Sequence, residues 1–265
     1  MMDKPEGVGR EVLFDIVDDH IAVVTLNRPE KRNAVNGIVA RAMQWIRREV
    51  ESNDEIRVAI LCSSNPQTFC AGADLAEIAA GRAQSIAPDG EGFAAFTDVV
   101  HAKPWIAAVS GNVLGGGCEL VLACDMIVAA EGSRFGLPEV KRGLFAAAGG
   151  VFRLPRTIPR NIAYELVATG DPMPADRAHR LGLVNRLMPP GDAIEGALKL
   201  AREIAANAPV AVRESLGVAR LAYDLDEEAL RARTAQAAAA AHATEDAQEG
   251  PRAFLEKRPP VWKGR

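Results

Sequence analysis

An α/β fold with an α-helical C-terminal region is the class predicted by this 265-residue chain, and three observations support it. Short apolar runs, Val58-Ala59-Ile60-Leu61, Ile106-Ala107-Ala108-Val109 and Met126-Ile127-Val128-Ala129, recur with helical or Gly-rich stretches between them, the pattern of buried parallel strands. Val39, Met43, Ile46 and Val50 recur at helical spacing and lay one apolar stripe along a helix. Beyond about residue 150 the pattern turns helical.

In chain order, residues 11–17 and 20–26 read as two strands around Asp18-Asp19, because β-branched and apolar residues fill both runs and acidic turn formers separate them. The helix carrying the Val39 stripe follows, and then the buried-strand runs. Residues 81–92 are polar, rich in small residues and marked by Pro88-Asp89-Gly90, which predicts a mobile surface loop. Pro174 suits a first helical position and Gly182 a helix stop. The last 70 or so residues are Ala-rich and helical, with Ala237 to Ala241 exposed unless they pack on something. We therefore expect a core over 1–195 and a helical oligomerisation region over 196–265.

With 48% apolar and 25% charged residues the composition is ordinary for a globular chain. A net charge of −4 gives no dominant basic face, which argues against nucleic acid or an anionic membrane as partner. Residues 1–7 lack the apolar segment of a secretory signal, and no apolar run reaches membrane-spanning length, so a cytoplasmic location is expected. Cys62, Cys70, Cys118 and Cys124 match no zinc or Cys-x-x-Cys spacing and read as buried free thiols.

Chemistry concentrates in three short motifs: Phe69-Cys70-Ala71-Gly72-Ala73-Asp74, Gly115-Gly116-Gly117-Cys118-Glu119 and Phe135-Gly136-Leu137-Pro138-Glu139. The first two read as strand-to-helix turns, where free backbone N–H groups and the helix dipole favour an anion. A dinucleotide fingerprint fails because Leu120 stands where the third glycine is needed, and no Gly-Lys-Ser or Gly-Lys-Thr completes a phosphate loop. Glu119 lies in an apolar setting, between Cys118 and Leu120-Val121-Leu122, where an unpaired charge is costly. Taken alone, each glutamate reads more readily as a surface acid or a helix N-terminal residue than as a catalytic group. Two carboxyls close together, however, are pushed apart in pKa, so that one can take a proton while the other gives one near neutral pH.

In order and spacing these motifs resemble the active site of the enoyl-CoA hydratase (crotonase) family. The likeness runs from Leu26-Asn27-Arg28-Pro29-Glu30-Lys31 through Ala107-Ala108-Val109 to Phe254-Leu255-Glu256-Lys257-Arg258. The resemblance implies a crotonase-like spiral of repeated ββα units, with C-terminal helices that build a trimer or a dimer of trimers. It implies that Glu119 and Glu139 carry the acid–base work and that the N–H groups of Ala73 and Gly116 form an oxyanion hole. Arg28, Lys31, Ala71, Asp74 and Leu75 would contact the coenzyme A portion, and Phe254 and Lys257 would reach a neighbouring subunit's site. The implied activity is reversible hydration of a 2-trans-enoyl-CoA to a 3-hydroxyacyl-CoA, with no metal and no cofactor beyond the CoA of the substrate. Double-bond isomerisation and carnitinyl-CoA-type dehydration use the same oxyanion hole and stay open, as does a non-catalytic acyl-CoA binder. One segment departs from the hydratase pattern: Val140-Lys141-Arg142-Gly143-Leu144-Phe145-Ala146-Ala147-Ala148-Gly149-Gly150. There we expect Lys141 and Arg142 to be solvated, with their proximity to Glu139 leaving open a more polar or carboxylated acyl group, and Ala147 to supply the backbone donor that a glycine usually gives.

Overall fold

A computed structural model describes residues 4–265. The chain opens with a hairpin of β1 (Val12–Val17) and β2 (Ile21–Leu26), paired antiparallel from Val12 opposite Leu26 to Val17 opposite Ile21. Asp18 and Asp19 turn it with φ of 51° and 62°, the left-handed region that aspartate tolerates better than most residues. Helix α1 (Gly37–Ser52) follows, capped by Asn36, whose side chain accepts the Val39 N–H. It buries Val39, Met43, Ile46 and Val50, as their spacing predicts.

The chain then makes three successive turns of one pattern. Strand β3 (Val58–Ser63) leads to β4 (Thr68–Cys70) and α2 (Leu75–Ala79). Strand β5 (Trp105–Val109) leads to β6 (Asn112–Leu114) and α3 (Gly116–Ala123). Strand β7 (Met126–Ala130) leads to β8 (Arg134–Gly136) and a 3-10 turn, Pro138–Arg142. After α4 (Gly150–Thr157) and α5 (Arg160–Thr169) come β9 (Met173–Pro174), α6 (Ala175–Arg180) and β10 (Arg186–Met188). The first strand of each turn joins a six-stranded sheet in the order β1-β2-β3-β5-β7-β10, parallel from β2 onward. The second joins a four-stranded sheet in the order β4-β6-β8-β9, in which β4, β6 and β8 are parallel neighbours. These are the repeated ββα units of a crotonase spiral. Stacking them places the ends of β4, β6 and β8 side by side.

Helix α7 (Ala193–Ala205) covers a second face of the large sheet, setting Ala197 and Ala201 against Ile21, Val58, Ile60, Ile106 and Val128. The boundary expected at residue 195 therefore falls inside a helix that belongs to the core, because its small residues let it lie close on the strands. Helices α8 (Pro209–Ala219), α9 (Glu227–His242) and α10 (Asp246–Glu256) are the peripheral part. Ala237 is buried, whereas Tyr223, Phe254 and Leu255 stand exposed. The C-terminal residues fold back: Asp246 accepts the N–H groups of Lys263 and Gly264, and Arg57 donates to the carbonyls of Ala205 and Trp262.

Residues 81–92 differ from the expected mobile loop. They form short 3-10 turns at Ala83–Ile86 and Pro88–Gly90, bury Ile86, and are tied to α1 through Glu91, which accepts from Gln44, Arg47 and Arg48. Partial burial opposes ionisation of Glu91, but hydrogen bonds from Arg48, Gln44 and Arg47 outweigh it and hold the carboxyl down at about 2. All four cysteines are free; burial raises the thiol pKa of each, that of Cys70 to about 12, so none is poised as a nucleophile. No helix among the described residues is long and apolar enough to cross a membrane.

Candidate active site

A cavity of about 750 Å³ opens where the three stacked turns end. Its wall includes Ala71–Leu75 after β4, Leu114–Gly116 and Glu119 after β6, and Pro138 and Glu139 after β8. This is the carboxyl end of parallel strands, where open α/β sheets commonly place their ligands.

The first two turns supply backbone donors. Val35 bridges to the first, donating to the Gly72 carbonyl and accepting from the Asp74 N–H, which leaves the intervening Ala73 N–H facing away from Val35. Among the described residues neither Ala73 nor Gly116 gives its N–H to a protein acceptor. The two lie close together, since a β-carbon on Gly72 would stand 3.0 Å from the Gly116 nitrogen. The glycines of the second turn permit that approach. A β-carbon on Gly117 would come within 2.3 Å of the Cys70 carbonyl oxygen, and one on Gly116 within 2.7 Å of the Phe93 ring.

Both glutamates face the same cavity. Glu119, in the first turn of α3, is only 3% exposed, and its Oε1 accepts the Gly150 N–H at 3.0 Å. Burial raises its pKa and the neighbouring Glu139 charge adds to the rise, while the Gly150 and Ala148 N–H groups and the Arg153 charge oppose it. Glu139 is half-buried on the 3-10 turn, and a β-carbon on Gly115 would stand 3.0 Å from its Oε1. Its pKa is also raised by burial, against its own N–H and Arg142. Its Oε2 is buried without a hydrogen-bond partner.

Of the residues expected to meet coenzyme A, Lys31, Ala71, Asp74 and Leu75 line the cavity, Lys31 with its side chain exposed. Arg28 is not on that wall. Its guanidinium is engaged by Glu11 and Asp74, each at 3.2 Å, and donates to the Ala34 carbonyl, so it fastens the first turn from behind. Phe254 and Lys257 are exposed at the end of α10 and take no part in this chain's cavity wall. In the departing segment the N–H groups that act on Glu119 belong to Gly150, the first residue of α4, and to Ala148, while Ala147 lines the cavity. Lys141 pairs with Asp171, but Arg142 lines the cavity, so the two cations are not equivalent.

No sequence motif marks Phe93, Asp98, Leu144, Phe145 or Arg153 individually, although Leu144 and Phe145 stand within the departing segment. The first four line the cavity. Phe93 follows directly on the segment 81–92 expected to be a mobile loop, and Arg153 is one arginine among many on a helical stretch. The apolar neighbours of Arg153 in Val151-Phe152-Arg153-Leu154 were the available sign that it is held inside. Among the described residues no group of His, Cys, Asp or Glu side chains is arranged to hold a metal.

The spiral and its turn-end cleft define a class, and comparison with known proteins identifies it. The profile of the enoyl-CoA hydratase/isomerase family matches residues 17–265, and the chain belongs to that family. It is 40% identical over 250 residues to the carnitinyl-CoA dehydratase of Salmonella typhi, covering 92% of this chain and 95% of that one. The crystal structure of an enoyl-CoA hydratase from Mycobacterium tuberculosis H37Rv superposes with a TM-score of 0.92 at 42% identity, covering 96% of this chain and 99% of that one. A carnitinyl-CoA hydratase from Mycobacterium avium is 43% identical over 97% and 99% of the two chains, with a TM-score of 0.76.

Proposed function

We propose that the protein catalyses reversible syn hydration of a 2-trans-enoyl-CoA thioester. The observation that carries this reading is the pairing of two pKa-raised carboxyls, one buried and one half-buried, with two uncommitted N–H groups on one cavity. The thioester carbonyl lies in the hole between Ala73 and Gly116. Water, held by the carboxyls, adds its oxygen to C3, and its proton passes to the ionised carboxyl. The C2=C3 electrons move onto the carbonyl oxygen as an enolate, which the two N–H groups stabilise by roughly 3–4 kcal/mol per donor. Collapse of the enolate takes a proton at C2 from the protonated carboxyl. The Gly150 and Ala148 donors favour ionised Glu119, whereas the partnerless Oε2 favours a neutral Glu139. This supports Glu119 as base and Glu139 as the acid that serves C2.

Lys31 and the Ala71–Leu75 segment would hold the CoA arm. The exposed Phe254, Leu255 and Tyr223 would pack against other subunits, as trimers or a dimer of trimers, bringing Lys257 to a neighbour's site.

A second reading, dehydration of a carnitinyl-type thioester, has its own support. Asp98, Phe93 and Phe145 share the cavity wall, and a carboxylate with aromatic faces suits a quaternary ammonium group. Following loss of the conjugated thioester absorbance with crotonyl-CoA and with a γ-trimethylammonio enoyl-CoA tests both. Turnover of crotonyl-CoA supports hydration of neutral acyl groups. Exclusive turnover of the cationic thioester assigns the second reading, and turnover of neither rejects both.

A further inference from the structure

We infer that Arg153 is the positioning residue of this site, clamping together the two loops that set the Glu119 carboxyl and the oxyanion turn. Its Nη1 donates to the Ala148 carbonyl at 2.8 Å and its Nη2 donates to the Thr97 carbonyl. Ala148 precedes Gly150, whose N–H holds Glu119. Thr97 accepts the Phe93 N–H through its hydroxyl, and the Phe93 ring is the surface on which Gly116 rests. One guanidinium therefore joins the donor side of Glu119 to the support of Gly116. A planar fork of donors fits two carbonyls on separate loops, whereas a lysine ammonium acts as a point charge.

The clamp also brings a half-buried cation into the electrostatic reach of Glu119, where it opposes the rise that burial imposes on the carboxyl. The groups around this carboxyl are Glu139 from the 3-10 turn, Cys118 beside it on α3 and Arg153 on α4. Asp98 and Arg156 act in turn on Arg153, and Arg142 acts on Glu139. Removing the Arg153 charge must raise the Glu119 pKa further.

The proposal rests on the hydration reading, and two measurements separate their failures. The first is the pH profile of kcat/KM for crotonyl-CoA in wild type, Arg153→Met and Arg153→Lys, with the dissociation constant of butyryl-CoA as a binding control. We expect Arg153→Met to lose roughly 10²-fold in kcat, as a misplaced catalytic group does, with its acidic limb moved to higher pH and butyryl-CoA binding within about threefold of wild type. Arg153→Lys should keep the limb near its wild-type position and recover only part of kcat, and it carries the test if the Met variant does not fold. The second is infrared titration of the carboxyl band assigned by Glu119→Gln in the substrate-free protein, which needs no turnover. An unshifted limb and band in Arg153→Met, or full activity in Arg153→Lys, overturns the proposal. A wild type inert toward crotonyl-CoA but with a shifted band in Arg153→Met overturns only the hydration reading.

Discussion

Glu119 and Glu139 share a residue type, a cavity and an upward pKa shift, yet their surroundings are opposite. Glu119 is fixed from outside the cleft: it sits on a regular helix, has one oxygen on the Gly150 N–H, and lies within the field of Arg153. Glu139 sits on a short 3-10 turn with Oε2 unpartnered and Arg142 nearby. The difference separates a carboxyl oriented by the protein from one left free to exchange a proton with whatever occupies the cleft. A buried oxygen without a partner is uncommon and is expected where a ligand completes the bonding.

The largest expected effect breaks the comparison at the level of chemistry. Glu119→Gln and Glu139→Gln should each cost hydration roughly 10²–10⁴-fold in kcat, the scale of a lost acid–base group. Exchange of the C2 protons of butyryl-CoA with deuterium, followed by NMR, should separate them: it should vanish in Glu139→Gln and survive in Glu119→Gln. Equal loss in both variants would erase the distinction drawn here.

A smaller and more uniform effect is expected at the oxyanion turn. A methyl at Gly116 must push against Phe93, displacing the donor while leaving both carboxyls in place. Gly116→Ala should lower hydration and C2 exchange together by about 10²-fold, the scale of one lost oxyanion donor. Gly116→Val should abolish both, at some expense in stability because the ring it strikes is buried. If Gly116→Ala spares exchange while hydration falls, the enolate is stabilised elsewhere.

A third effect, again smaller, concerns the two cations first assigned to CoA. Lys31→Ala should weaken butyryl-CoA binding several-fold, because its exposed side chain lines the cavity. Arg28→Ala should act mainly on stability, because it strips Glu11 and Asp74 of their shared partner. Calorimetric titration beside thermal melts of both variants distinguishes these roles, and tighter dependence of binding on Arg28 than on Lys31 would reverse them.

The sequence made the large sheet legible because its central strands are buried and uniformly apolar, as Val58–Leu61 and Ile106–Val109 show. The second sheet was hidden because β4, β6 and β8 each span three residues, too short for periodicity to register. The turns that line the cavity were visible all the same, since Gly72, Gly116, Glu119 and Glu139 stand in compact motifs. What could not be read was the wall assembled from distant segments. Phe93 and Asp98 come just after the stretch 81–92, whose polar composition resembled a free loop although Glu91 anchors it to α1. Arg153 gains its role only when α4 meets the Thr97 carbonyl, 56 positions away in the chain. The peripheral helices were legible as helices, while the boundary at 195 was not, because α7 has the same Ala-rich composition as the exposed helices after it.

The smallest effect is on stability and runs opposite to the loss of activity. A carboxyl whose pKa is raised by folding binds its proton more tightly in the native state than in the unfolded chain. Its stabilising contribution is then full below the unfolded pKa of about 4.3 and is lost as pH rises through the folded value. At neutral pH, Glu119 and Glu139 therefore work against the fold. Glu119→Gln keeps an oxygen for the Gly150 N–H and removes the buried charge, so its Tm at pH 7 should exceed wild type by roughly 2–4 °C, the shift that about 1 kcal/mol gives at this chain length. The gain should disappear below about pH 4, where the carboxyl is neutral in both states. Glu139→Gln should gain less, because its site is more open and an amide N–H₂ would inherit the partnerless position of Oε2. Scanning fluorimetry at pH 7 and pH 4 reads both differences. A lower Tm for Glu119→Gln at pH 7 would mean that its ionised form stabilises the native state, against the upward shift that burial imposes on this carboxyl.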